Sequence, residues 1–186
     1  MFAQVGAAAI AAGLLVQGPA VVANHQNRAV AITASIDATE VVLSLGATSA
    51  SEDAYADGFM VVTCGTGSDY SYVIQGHEAF AASNTAARVI LKDGLELALT
   101  TASICSLVAN PYKGVVVVGD SALLTGKVCG VTLVSAAASS FIYLGKKGEW
   151  TCKAVGGNLV GAGAYNNTAY DRCCWSSIYC FCITSK

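Results

Sequence analysis

The chain holds two histidines, His25 and His77, the side chains whose ordinary titration falls near neutrality. Neither stands in a local catalytic constellation. His25 lies in the polar island Asn24-His25-Gln26-Asn27, and His77 follows a predicted strand and precedes Glu78 at a turn. Either would serve as a general base if the fold brought a carboxylate beside it, though a satisfied loop or core histidine is the more ordinary role. Nucleophile templates fail as well. Gly119-Asp120-Ser121 is followed by Leu123 where a nucleophile elbow needs glycine. Gly65-Thr66-Gly67-Ser68 lacks the trailing lysine and the following helix of a phosphate loop. Glu40, Glu52, Asp53 and Asp57 are spaced as turn residues, without a D-x-D-x-D-G calcium loop. Asn166-Asn167-Thr168 fits the glycosylation acceptor pattern at Asn166, which matters only on a eukaryotic secretory route. The expectation is therefore a protein that is not an enzyme, with no cofactor and no metal.

Cysteine usage divides in two. Cys64, Cys105, Cys129 and Cys152 are scattered, each inside an apolar run, and read as small buried hydrophobes with reduced thiols. Cys173, Cys174, Cys180 and Cys182 crowd the last fourteen residues as C-C-x5-C-x-C. That pattern lacks the C-x2-C knuckle of a zinc ribbon, and no histidine is near it. The segment reads as an apolar closing strand rich in cysteine. A disulfide cluster is the alternative in an oxidising medium.

Positioning such residues falls to short strands. After residue 28 the text alternates apolar and polar residues between clusters of Gly, Asn, Asp and Ser. Strands are predicted over 28–35, 39–45, 58–64, 70–75, 88–91, 97–100, 104–108, 115–118, 128–134, 141–144 and 150–155. A five-residue hairpin loop is predicted at 65–69, and a tight turn at Asp93-Gly94. The predicted fold is mainly β: a compact antiparallel sandwich or barrel of about ten short strands. An Ala/Gly-rich N-terminal arm (1–27) precedes the β body (28–155). A Gly-rich linker and Cys-rich C-terminal arm (156–186) follow it.

The 186 residues include ten Lys+Arg against twelve Asp+Glu, and charged residues make up only 12% where about a quarter is usual. Hydrophobic residues at 54% exclude general disorder, because apolar burial is ample to offset the ordering entropy. Ten scattered cations leave little to neutralise phosphates, so no nucleic-acid partner is expected. No run reaches the ~18 apolar residues of a membrane-spanning helix. The apolar run 5–16 lacks a basic lead-in and is interrupted by Gly18-Pro19, so it is not expected to act as an export signal. A surface built of Ala, Gly, Ser and Thr suits close packing against other copies or another protein.

Two polar connectors are the candidate interface. Asn24, His25, Gln26 and Asn27 offer amide and imidazole groups to the backbone edge of a neighbour. Asn110, Pro111, Tyr112 and Lys113 form a turn that leaves the ring of Tyr112 to pack on a partner.

Several phrases together resemble a family of tailed-bacteriophage virion proteins of environmental phages. They are Leu15-Val16-Gln17-Gly18-Pro19 leading into Asn24-His25-Gln26-Asn27, then Leu45-Gly46-Ala47-Thr48, and Tyr55-Ala56-Asp57-Gly58. Gly67-Ser68-Asp69-Tyr70-Ser71-Tyr72, Gly76-His77 and Val108-Ala109-Asn110-Pro111-Tyr112-Lys113-Gly114-Val115 follow in order. The match runs from about residue 13 to 150. The family's charged lead-in is missing here, and the Cys-rich tail departs from its pattern. The resemblance implies a structural protein that decorates and cements the capsid, bridging adjacent capsomers. Its implied partners are the major capsid protein and other copies of itself, as a homotrimer. Its implied location is the capsid surface of the virion, after assembly in the host cytoplasm. The alternative is a tail, baseplate or fibre component that binds host glycan through Tyr70, Tyr72 and Tyr112.

Overall fold

The computed structural model describes residues 1–118 and 124–146, together with the backbone of three strands beyond them (148–153, 172–175 and 178–183). The described residues are mainly β, as the alternation predicts, with one 3-10 turn among them at Ala23–His25. Among the described residues no helix is long and apolar enough to cross a membrane.

The chain forms two compact units. Val21–Asn110 contains six strands: β3 (Arg28–Ile32), β4 (Glu40–Leu43), β5 (Phe59–Cys64), β6 (Ser71–His77), β7 (Ala87–Leu91) and β8 (Ile104–Val108). They close into a barrel in the order β3-β4-β7-β6-β5-β8, with every neighbour antiparallel. Closure removes exposed sheet edges, which otherwise template aggregation. Alternation fills the interior: in β7, Ala87, Val89 and Leu91 are buried while Arg88 and Ile90 face out. Val30, Leu43, Met60, Ile74 and Leu107 complete the same core. The loop at 65–69 is the predicted hairpin connection, with Gly65, Gly67 and Asp69 all at positive φ. Residues 97–100, predicted as a strand, make one isolated bridge, Ala34 to Leu99.

The second unit comprises Met1–Ala20 and Pro111–Lys186. Its barrel is built from β1 (Phe2–Val5), β2 (Leu15–Gln17), β9 (Lys113–Val117), β10 (Val128–Thr132) and β11 (Phe141–Gly145). The order is β1-β11-β10-β2-β9, closed by a parallel pair of β1 with β9. Ala3, Val5, Val16, Val115, Cys129, Ile142 and Leu144 form its core.

The expected N-terminal arm is corrected by these pairings. Phe2-Ala3-Gln4-Val5 alternates outward and inward, with Ala3 and Val5 each 2% exposed. The inward residues of this segment are Ala3, Val5, Ile10 and Val16, while Ala7, Ala8, Ala9 and Ala11 are exposed. At Gly130 (φ +152°), an added Cβ would stand 2.6 Å from the carbonyl of Gly145. The expected boundaries at 27 and 155 give way to crossings at Ala20–Val21 and Asn110–Pro111.

The barrel of Val21–Asn110 is inserted into the connection between β2 and β9, which are antiparallel neighbours (Gln17 opposite Val116). Its own entry and exit strands also lie side by side, with Arg28 opposite Cys105. Adjacent ends are the condition under which insertion leaves both folds intact. With a separate core and closed hydrogen bonding, the excised chain 21–110 is expected to fold alone. Dispersed amide resonances and a cooperative thermal transition are the expected readout. The spectrum of an unfolded chain would show that it depends on the flanking residues.

Beyond the second barrel lies a three-stranded sheet of β12 (Gly148–Lys153), β13 (Arg172–Trp175) and β14 (Ile178–Ile183), in the order β12-β14-β13. β14 runs parallel to β12 and antiparallel to β13. The Cys-rich segment, expected as a separate arm, thus pairs with the strand expected to end the body. The expected linker over 156–170 lies outside the described residues.

Candidate functional site

Both histidines are in the larger barrel, and both are core residues. His25 ends the 3-10 turn Ala23–His25 and is 0% exposed. His77 is the last residue of β6 and is 3% exposed. Between them stands Tyr55, on a turn where Asp53 and Asp57 take positive φ (54° and 61°). Backbone bonds from Asp53 N–H to the His77 carbonyl and from Asp57 N–H to the Ile74 carbonyl stitch that turn to β6. Asp and Asn tolerate the left-handed region, which explains the residue types at these corners.

The hydrogen bonds assign both tautomers. His25 Nε2–H donates to the Thr48 carbonyl at 2.8 Å, so Nδ1 accepts from the Tyr55 hydroxyl at 2.6 Å. The His77 Nε2 accepts from the Tyr55 backbone N–H at 3.0 Å, and its Nδ1–H donates to the Glu78 carbonyl at 2.7 Å. Tyr55 stands with its ring 5.6 Å from each imidazole, and Phe80 stacks on His77 at 4.2 Å. Burial pushes the Tyr55 phenol up to about 12. All four imidazole nitrogens are engaged inside the barrel, so neither ring is placed to take a proton from a substrate. The cluster instead joins the 3-10 turn, two loops and β6 in one buried network.

The rest of the polar island serves the same end. Asn24 Nδ2 donates to Thr48 Oγ1 at 2.8 Å, and Gln26 Nε2 donates to the Leu107 carbonyl at 2.7 Å. Asn27 N–H donates to Ser106 Oγ at 2.9 Å, while its Oδ1 accepts from Thr63 Oγ1 at 3.2 Å. His25 is therefore corrected from an interface residue to a core residue. Asn24, Gln26 and Asn27 bond to the loop before residue 50 and to β5 and β8.

Asn110, Pro111, Tyr112 and Lys113 mark the second crossing between units, and all four are half-buried. Pro111 offers its carbonyl to the Cys129 thiol at 2.9 Å. The ring of Tyr112, expected to project toward a partner, packs on the core of the smaller barrel. Its hydroxyl accepts a hydrogen bond from Lys146 Nζ, which lies 5.1 Å from the ring centroid. Of the tyrosines expected to stack on sugar, Tyr72 is buried, at 6% exposure, Tyr112 is half-buried, and Tyr70 is exposed.

Exposed rings occur elsewhere. Phe2 on β1 and Phe141 and Tyr143 on β11 are 52%, 60% and 66% exposed. The antiparallel register sets Phe2 opposite Tyr143 and Gln4 opposite Phe141, so the three rings share the outer face of one strand pair. Phe2 stacks on Phe141 with centroids 5.2 Å apart and meets Tyr143 edge-on at 5.4 Å. Phe141-Ile142-Tyr143-Leu144 carried the signal in its alternation: Ile142 and Leu144 are the inward residues. Sequence reasoning missed the ladder because Phe2 joins it only through strand pairing.

Charge separates between the units. Val21–Asn110 carries three Lys+Arg against nine Asp+Glu, while Met1–Ala20 with Pro111–Lys186 carries seven against three. Among the described residues no group of three or more His, Cys, Asp or Glu is placed to hold a metal ion. Gly119-Asp120-Ser121 and Asn166 lie outside the described residues.

The fold and these sites define a two-barrel β protein with an inserted domain, buried polar networks and an aromatic outer face. No protein-family model, curated protein or solved structure matches the chain.

Proposed function

We propose that the chain is a structural virion protein that decorates and stabilises a phage capsid by bridging adjacent capsomers of the major capsid protein. The observation that carries this reading is the ladder of Phe2, Phe141 and Tyr143. Three contiguous aromatic rings held in water are unfavourable for an isolated chain, and such clusters mark protein contact sites. Buried aromatic anchors dominate interface energetics, because each covers a large apolar area at a low entropic cost. The in-order resemblance over residues 13–150 supports the same reading, and so does the sparse charge. The copies assemble as a homotrimer, the form that matches a three-fold junction between capsomers.

Protein, rather than host glycan, is the better partner for the ladder. Sugar recognition pairs ring stacking with convergent hydrogen-bonding groups. Here Gln4 is the polar residue set among the rings, and the described residues of this barrel include no carboxylate side chain.

Reconstruction of the intact virion tests the function. Density for this chain repeated over the head lattice is the expected result. Density confined to the tail would support the tail or fibre reading, and absence from the particle would overturn both. A double change, Phe141→Ser with Tyr143→Ser, is expected to weaken capsid binding roughly 1,000-fold, since each anchor contributes about 2 kcal/mol. Both side chains are exposed, so the melting temperature should hardly move. Unchanged capsid affinity would remove the ladder from the interface.

A further inference from the structure

The strand register places four cysteines together that are far apart in sequence. In the antiparallel β13–β14 pair, Cys173 stands directly opposite Cys180. In the parallel β12–β14 pair, Cys152 stands directly opposite Cys182. Cys180 and Cys182 are two residues apart on β14, so the period-2 alternation puts them on one face of the sheet. Their register partners share that face. Cys174, next to Cys173, falls on the other.

We propose that this sheet carries two cross-strand disulfides, Cys173–Cys180 and Cys152–Cys182, formed when the folded chain meets an oxidising thiol buffer. Directly opposed residues have Cα atoms about 4.5 to 5.5 Å apart in an antiparallel pair, and neighbouring strands of either sense lie about 4.7 to 4.9 Å apart, inside the span a disulfide bridges. The register prescribes which cysteine pairs with which, selecting one connectivity from the many that eight cysteines allow. Oxidised glutathione is a sufficient oxidant. One cysteine thiolate attacks it to form a mixed disulfide and release one glutathione thiolate. The opposed cysteine thiolate then displaces the second. Each bridge thus removes two protons and two electrons from two cysteines and converts one oxidised glutathione into two reduced ones.

The bridges tie the chain's last strand to both of its neighbours. Cys152–Cys182 spans the Gly-rich stretch between β12 and β13, and Cys173–Cys180 closes the β13–β14 pair. A closed loop loses conformational freedom in the unfolded chain, so the sheet should open less readily when oxidised. Of the described thiols elsewhere, Cys105 and Cys129 are buried, and Cys105 is pushed up to about 12 by that burial; Cys64, expected to be buried, is exposed at the end of β5.

The sequence supplies the cleavage sites for the test. The full-length chain is equilibrated with mixed reduced and oxidised glutathione, its free thiols are blocked with N-ethylmaleimide, and it is digested without reduction. Trypsin cuts after Lys147, Lys153 and Arg172, and chymotrypsin after Trp175, Tyr179 and Phe181. The expected fragments join Cys152 to Cys182 and Cys173 to Cys180, with Cys174 alkylated. Cys182→Ser should abolish the link to the Gly148–Lys153 peptide and leave the other bridge intact. The same oxidation in urea should lose the pairing preference. Eight alkylated thiols, equal use of Cys173 and Cys174, or native pairing no different from that in urea would each overturn the proposal. One bound zinc per chain, protecting these thiols until a chelator is added, would also overturn it by making the face a metal site.

Discussion

Replacing Tyr55 with alanine is expected to destabilise the barrel of Val21–Asn110 by roughly 4 to 5 kcal/mol. Removing a buried aromatic ring costs about 3–5 kcal/mol through lost contacts and the cavity left behind. The change also strands His25: Nε2–H is committed to the Thr48 carbonyl, so Nδ1 is left buried without a donor. That orphaned acceptor alone costs about 1–3 kcal/mol. Tyr55→Phe separates the two effects, because it keeps the ring between both imidazoles and removes only the hydroxyl. It should cost about 1–3 kcal/mol. Urea unfolding checks both, with a lower midpoint and an unchanged slope as the expected signature. A domain is stable by only about 5–15 kcal/mol, so the alanine variant should stand close to unfolding at room temperature. If neither change moves the midpoint, the His-Tyr-His network does not hold the loops to the barrel. Tyr55→Phe should leave capsid binding intact, since the proposed contact is the aromatic ladder.

The second large effect is alkaline. Burial raises the Cys105 thiol from 9.0 to about 12 and the Tyr55 phenol from 10.0 to about 12, both in the larger barrel. A raised value in the folded state means that the folded chain keeps a proton which the unfolded chain releases. Stability is therefore complete below pH 9 and falls as pH rises. The decline begins above pH 9 as unfolded Cys105 ionises, steepens above pH 10 as Tyr55 joins, and ends near pH 12. Each pKa unit corresponds to about 1.4 kcal/mol, so the summed loss over the whole range is on the order of 7 kcal/mol. Cys129 is shifted in the same direction, by burial first, with the Gly18 backbone and the charges of Lys127 and Lys146 opposing it. Denaturation midpoints at pH 8, 9, 10 and 11 measure the slope. Cys105→Ala should delay the onset to about pH 10, and Tyr55→Phe should flatten the steeper part. A midpoint constant from pH 8 to 11 would contradict the burial of both groups.

Much of the fold was legible because its signals are local. The alternation in Ala87–Leu91 and Phe141–Gly145 marks strands whichever sheet they join, and Gly65, Gly67 and Asp69 supply the positive φ of a hairpin loop. The division into units was not legible. Met1–Ala20 pairs with strands more than ninety residues later, and a run of exposed alanines between its two short strands reads in sequence as a flexible arm. The candidate surface was misplaced for a related reason. An Asn-His-Gln-Asn island is polar wherever it sits, and only the arrival of Thr48, Tyr55, Leu107 and Ser106 around it makes it internal.

By themselves, then, the residues determined a β protein of short alternating strands, with sparse charge and histidines lacking catalytic neighbours in sequence. Side-chain period and turn chemistry act over a few residues, so a linear reading captures them. Tertiary structure alone decided that one barrel is inserted into another, that His25 and Tyr112 face inward, and that Phe2 meets Phe141 and Tyr143 on an outer face. It also decided that Cys152 lies opposite Cys182. Each of these depends on which strand lies beside which, a pairing set by long-range closure and burial that no local pattern encodes.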